Sequence, residues 1–138
     1  MTDTSGFDDI PGTYLFNKDR CHEGYHLNMF CMTLMKAENR EDFRSDEAAY
    51  LDQFPLLTLE QRRCVLERDW LGMIHVGGNI YYTSKLGATD GLSFQYLAGA
   101  MSGMTQEEYR EMMIAGGRPI DGNRSKAEKG EWDASWQV

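Results

Sequence analysis

Cysteine is scarce in this chain of 138 residues: Cys21, Cys31 and Cys64 are an odd number without paired spacing, which fits reduced thiols and no disulfide framework. Long apolar runs are missing as well. None approaches the roughly 18 residues that cross a bilayer, so no membrane span is expected. The first residues, Met1-Thr2-Asp3-Thr4-Ser5, lack the basic start and apolar stretch of a signal peptide. A cytoplasmic protein is the expectation. Positive charge is also short, with 14 basic against 22 acidic side chains and a net charge of −8. Such a surface repels phosphate backbones and anionic lipid, which argues against nucleic-acid and membrane partners.

Catalytic motifs are equally thin. The chain has no G-x-S-x-G elbow, no Walker loop, no dinucleotide fingerprint, and no Ser or Cys beside a His in a recognisable context. Acidic residues are plentiful, yet nothing singles out a glycosidase-type pair. Cys31 and Cys64 fall on or beside apolar stripes, and the nine methionines sit at helical spacing, which assigns them to core packing before any adaptable binding surface.

What is present is packing. Apolar residues make up 41% of the chain, and a domain of this length buries a real core without metal or disulfide. An arm is expected over residues 7–20, where Phe7-Asp8-Asp9-Ile10-Pro11-Gly12-Thr13 is rich in turn formers. Leu27, Phe30, Cys31, Leu34 and Met35 then follow helical spacing. A second helix is expected from an Asn39 cap through Phe43, Tyr50, Leu51 and Phe54, stopped by Pro55. A Thr58/Gln61 capping box predicts a third, with Leu59, Val65, Leu66, Trp70, Met73 and Ile74 on its stripe and Gly77-Gly78 at its end. Asn79-Ile80-Tyr81-Tyr82 is either a short extended piece or another helix start, and Asp90-Gly91 marks a turn. Residues 93–103 are apolar and small, and the Gly99/Gly103 spacing predicts close backbone packing. Thr105 and Glu108 form a second capping box, flanked by a Met104/Tyr109 staple, and Gly116-Gly117 ends the last helix. Beyond Pro119 lies a polar tail with Trp132 and Trp136, which docking on a partner would explain. The expected fold is all-α: one multi-helix domain over 1–138, with an extended N-terminal arm and an irregular C-terminal tail.

One motif invites a metal reading. His22-Glu23-Gly24-Tyr25-His26 satisfies H-E-x-x-H, which on a helix places two imidazoles on one face for zinc with the glutamate as general base. Gly24 weakens the helix that this spacing needs, and the only other histidine is His75. A stand-alone zinc hydrolase built on His22, Glu23 and His26 is therefore the rival reading. A full packing inventory beside a nearly empty chemical one favours a small helical subunit of a larger enzyme.

A series of segments carries a family resemblance: Phe7 to Thr13, Gly24-Tyr25, Leu27-Asn28, Leu34-Met35-Lys36-Ala37-Glu38-Asn39-Arg40, Gly77-Gly78-Asn79, Ser84-Lys85-Leu86, Thr89-Asp90-Gly91, Ser93-Phe94-Gln95, Gly103-Met104-Thr105-Gln106-Glu107-Glu108-Tyr109 and Gly116-Gly117-Arg118. In this order, over residues 7–118, they resemble the α (small) subunit of protocatechuate 4,5-dioxygenase, an oxidoreductase of the LigAB-type extradiol class. The resemblance implies a role in aromatic-compound degradation. It implies no metal and no catalytic residue in this chain; Fe(II) is held by a partner β subunit through two histidines and one carboxylate, in an α₂β₂ heterotetramer. The small subunit then caps a pocket shared by a catecholic substrate and O₂, and the ring is cut between carbons 4 and 5. By the same resemblance Phe94, with Ser93 and Leu92 beside it, forms a substrate-binding wall. The family pattern lacks histidines at positions 22 and 26. Gly87 and Leu92, taken as variable loop positions, leave gallate, 3-O-methylgallate or a dihydroxypyridine open as the ring. A helical adaptor without a dioxygenase partner is a third reading.

Overall fold

The computed structural model describes residues 14–118, and every regular element among them is a helix. The arm segment 7–13 and the tail with Trp132 and Trp136 lie outside the described residues. Where the arm is described it ends earlier than expected. Residues 14–17 are irregular, and α1 (Lys18–Glu23) is a helix that Asn17 caps by accepting from the Arg20 amide at 3.0 Å.

Gly24 separates α1 from α2 (Tyr25–Thr33), whose inward face is Leu27, Phe30 and Cys31. Leu34 follows the helix and is buried, whereas Met35 turns outward. Asn39 does not cap the next helix. Its Nδ2 is drawn to the Thr33 carbonyl at 2.8 Å, while Arg40 Nη1 donates to the carbonyls of Leu34 and Met35 at 2.9 and 3.0 Å. The Asn39-Arg40 pair therefore satisfies carbonyls that the end of α2 leaves free. Helix α3 (Ala37–Ser45) starts two residues ahead of the expected cap. It also stops early, at Asp46, whose backbone is extended and whose side chain caps α4 (Glu47–Leu51) from the Ala49 amide at 3.0 Å. One expected helix is thus two, and the stripe of Phe43, Tyr50 and Leu51 still points inward.

Helix α5 (Leu59–Glu67) has its reciprocal Thr58/Gln61 capping box. The long third helix of the sequence reading breaks at Arg68, which sits in the left-handed region at φ 55°. Asp69 then caps α6 (Trp70–His75) through the Gly72 amide at 2.9 Å. Leu59 and Leu66, placed on the stripe by periodicity, face outward. Asn79 resolves the ambiguity at residues 79–82: its side chain accepts from the Tyr81 amide at 2.8 Å and opens α7 (Ile80–Thr89). Helices α8 (Phe94–Met101) and α9 (Gln106–Ile114) complete the described chain. Thr105 accepts from the Glu108 amide at 3.1 Å, which is the Thr105 half of the expected capping box.

The core lies where α2 packs on α7, where α5 meets α6, and where α6 meets α8. Phe30, Phe43, Tyr50 and Phe54 stack with centroids 5.4–6.1 Å apart, within the range of favourable aromatic pairs. Helix α8 lies against α9, and the small-residue spacing has its reason at one glycine. A Cβ on Gly99 would stand 3.0 Å from the carbonyl oxygens of Met104 and Thr105.

Candidate functional site

Phe94, Ser93 and Leu92 are brought together at the hinge between α7 and α8. Helix α7 ends in a Schellman motif: the Gly91 amide bonds the Ala88 carbonyl at 3.0 Å, and the Leu92 amide bonds that of Gly87 at 2.9 Å. Gly91 takes φ 77° with open space around its Cβ position, so the requirement there is backbone conformation and not room. The chain reverses, and the three residues part company. Leu92 packs on the core. Ser93 caps α8, its Oγ accepting from the Tyr96 amide at 3.0 Å. Phe94, the first residue of α8, leaves 58% of its surface exposed.

That exposure decides how Phe94 is read. A phenyl ring at the start of an apolar helix ordinarily turns into the core, and its neighbours Leu97 and Ala98 do. Phe94 presents an aromatic face outward, next to a half-exposed Tyr96. Ser93 keeps its hydroxyl occupied by the cap, so its contribution to a ligand is limited to its second lone pair and proton. Gly87, expected as a variable loop position, is inside α7 and buried. A Cβ there would meet Leu97 Cδ1 at 2.6 Å, so a larger residue would force the Leu97 side chain to shift where α7 meets α8.

The segment is held from below. Arg68 donates through Nε to Asp90 at 2.6 Å, and its Nη1 and Nη2 reach Glu47 at the start of α4. Arg44 Nη2 donates to the Thr89 carbonyl. Sequence reading missed both arginines, because their partners lie 22 and 45 residues away along the chain.

The H-E-x-x-H letters do not lie on one continuous helix. Helix α1 ends at Glu23 and α2 starts at Tyr25, so the break falls inside the motif. Gly24 is there for close approach: a Cβ would come within 1.8 Å of the Gly77 carbonyl oxygen. Two buried amides tie the same spot. Asn28 donates to the Gly77 carbonyl at 3.2 Å and accepts from the Asn79 amide at 3.0 Å. Gln61, beyond its capping role, donates to the carbonyls of Glu23 and Val76 at 3.1 and 3.0 Å. The motif is a packing corner between α1, α2 and the end of α6. Among the described residues no three or more His, Cys, Asp or Glu side chains are gathered in a way that could hold a metal ion.

The two buried thiols, Cys31 and Cys64, carry no signal of reactivity. Cys31 is fully buried in the core, and burial pushes its pKa up to about 12. Cys64 is raised as well, burial being the main cause. None of the described helices is long and apolar enough to cross a membrane.

With this geometry set out, the comparison with known proteins decides the family. Residues 27–114 match the family described as aromatic-ring-opening dioxygenase LigAB, LigA subunit. The chain belongs to the LigA family. Gallate dioxygenase of Pseudomonas putida is 33% identical over 106 residues, which is 76% of this chain and 31% of that relative. The LigA-type chain thus spans less than a third of the curated relative it matches. The hinge that presents Phe94 falls inside the matched region, as do both arginines that hold it. A LigA chain is a dioxygenase-associated subunit.

Proposed function

We propose that this chain is the small, non-metal-binding subunit of an Fe(II)-dependent extradiol dioxygenase, capping the pocket of a larger iron-bearing partner in an α₂β₂ assembly in the cytoplasm. The substrate is a ring-hydroxylated benzoate. Protocatechuate follows from the resemblance and gallate from the name of the relative; the two rings differ by one hydroxyl. The iron of the partner supplies the redox chemistry that joins O₂ to the ring. This chain supplies no redox group. Phe94 lays an apolar face against the aromatic ring, and α8 excludes water from the space above it, which strengthens electrostatics in the pocket and suppresses side reactions. Leu92 backs the segment from the core, and Ser93 fixes the start of α8 so that the ring of Phe94 stays in place.

The observation that carries this reading is the outward Phe94, just beyond the α7 end that Arg44 and Arg68 hold, in a chain of the LigA family. The test is kinetic, on the complex of this chain with its iron-bearing partner. Phe94→Ala is expected to raise KM by about fivefold, as loss of one aromatic contact does, or to change the protocatechuate-to-gallate preference. Iron content should stay constant. Kinetics with both rings indistinguishable from wild type would return Phe94 to an incidental surface position.

A further inference from the structure

Arg68 is the only non-glycine residue with positive φ among the described residues. The left-handed conformation is unfavourable for a residue with a Cβ. Four other described helix ends use the same turn, and each places glycine there: Gly77, Gly91, Gly103 and Gly116. An arginine at the end of α5 therefore needs a compensating reason, and its side chain provides one. The guanidinium bridges Asp90 and Glu47, donates to the Val65 carbonyl at 2.6 Å, and lies 5.4 Å over the Phe43 ring. It is 21% exposed, and its two carboxylate partners are 24% and 32% exposed, so the group is partly shielded from solvent.

Asp90 raises the same question from the other side. It stands at the C-terminal end of α7, where the helix dipole is negative and a carboxylate is disfavoured. The Arg68 charge offsets that penalty. Two individually unfavourable choices, an arginine in a left-handed turn and an aspartate at a helix C-terminus, become favourable only as a pair. The pair ties the corner between α5 and α6 to the turn that leads through Leu92 and Ser93 into Phe94.

We infer that Arg68 and Asp90 are positioning residues that set where Phe94 stands against the bound ring, an inference that rests on the substrate-wall reading of Phe94. Loosening the pair changes ring fit without touching the chemistry. The experiment uses the complex reconstituted with the iron-bearing partner and compares Asp90→Asn, Phe94→Ala and the double variant, with Arg62→Gln as a control. Arg62 pairs with Asp52 at 3.0 Å and contacts neither Asp90 nor Phe94. Asp90→Asn is expected to raise KM by about fivefold with kcat within about twofold, and to add nothing once Phe94 is already alanine. Asp90→Glu should restore most of the loss. Arg62→Gln should lower the melting temperature and leave KM alone. Full additivity of Asp90→Asn with Phe94→Ala, or an equal KM rise in Arg62→Gln, would overturn the inference by making the pair merely structural. If Phe94→Ala alone alters KM and Asp90→Asn does not, the positioning inference fails and the wall reading survives. If Phe94→Ala alone changes nothing, the wall reading fails and the positioning role falls with it.

Discussion

A methyl group added at Gly24 would stand 1.8 Å from the carbonyl oxygen of Gly77, with only backbone nearby to give way. Glycine is required there by space, and at Gly91 by conformation, since φ is 77° and nothing lies within 4 Å. The two substitutions should therefore separate. Gly24→Ala is expected to destabilise by about 3 kcal/mol through overpacking, and Gly91→Ala by about 1 kcal/mol through backbone conformation. Urea unfolding of both variants measures the difference, and equal losses would contradict the close approach of α1 to the end of α6. Letters alone could not give this. Gly24 was legible as a weakness in a zinc helix, but its partner Gly77 is brought to it only by the tertiary fold. Asn28 is similar: its amide partners lie 49 and 51 residues on, so no local pattern announces a buried amide that satisfies two backbone groups. Phe94, by contrast, was named from the resemblance, and the structure adds that its ring faces outward.

At the scale of elements, what was legible is what is local. The Thr58/Gln61 box and the Thr105 cap act across three residues, and both helix starts stand where the sequence puts them. The breaks at Asp46 and Arg68-Asp69 were not legible, because an apolar stripe runs through each and periodicity reads through a break. Asp69 shows what the second break depends on. The Gly72 amide, and after it the Arg63 guanidinium, hold the Asp69 carboxyl below its ordinary value of 3.8. A depressed pKa means that the folded state favours the ionised form. The stabilisation is complete above that ordinary value and is lost as pH falls through the lower folded one. Asp69→Ala should therefore lose about 1 kcal/mol of stability at neutral pH, the size of an N-cap. The gap to wild type in thermal melts should begin to narrow only below about pH 4 and go on closing as the pH falls further. A gap independent of pH would show that the charge of Asp69 plays no part in the cap.

For the whole molecule, a net charge of −8 goes with a core shared by most of the described helices. All-helical character was legible because amphipathic spacing recurs along the described chain; the family was legible because short segments recur in a fixed order. The candidate site was legible in part. Its aromatic residue came from the resemblance, whereas the arginine and aspartate beneath it are joined by contacts that only the folded chain makes. The chain matches 31% of the length of its gallate dioxygenase relative, and the proposed function rests on dependence on a larger partner. The most direct measurement is oxygen uptake with protocatechuate and gallate by this chain alone, by the iron-bearing partner alone, and by the two mixed. No uptake is expected from this chain alone, and the mixture should run at a rate well above that of the partner alone. Ring cleavage by this chain without a partner, or a partner whose rate is unchanged when it is added, would contradict it.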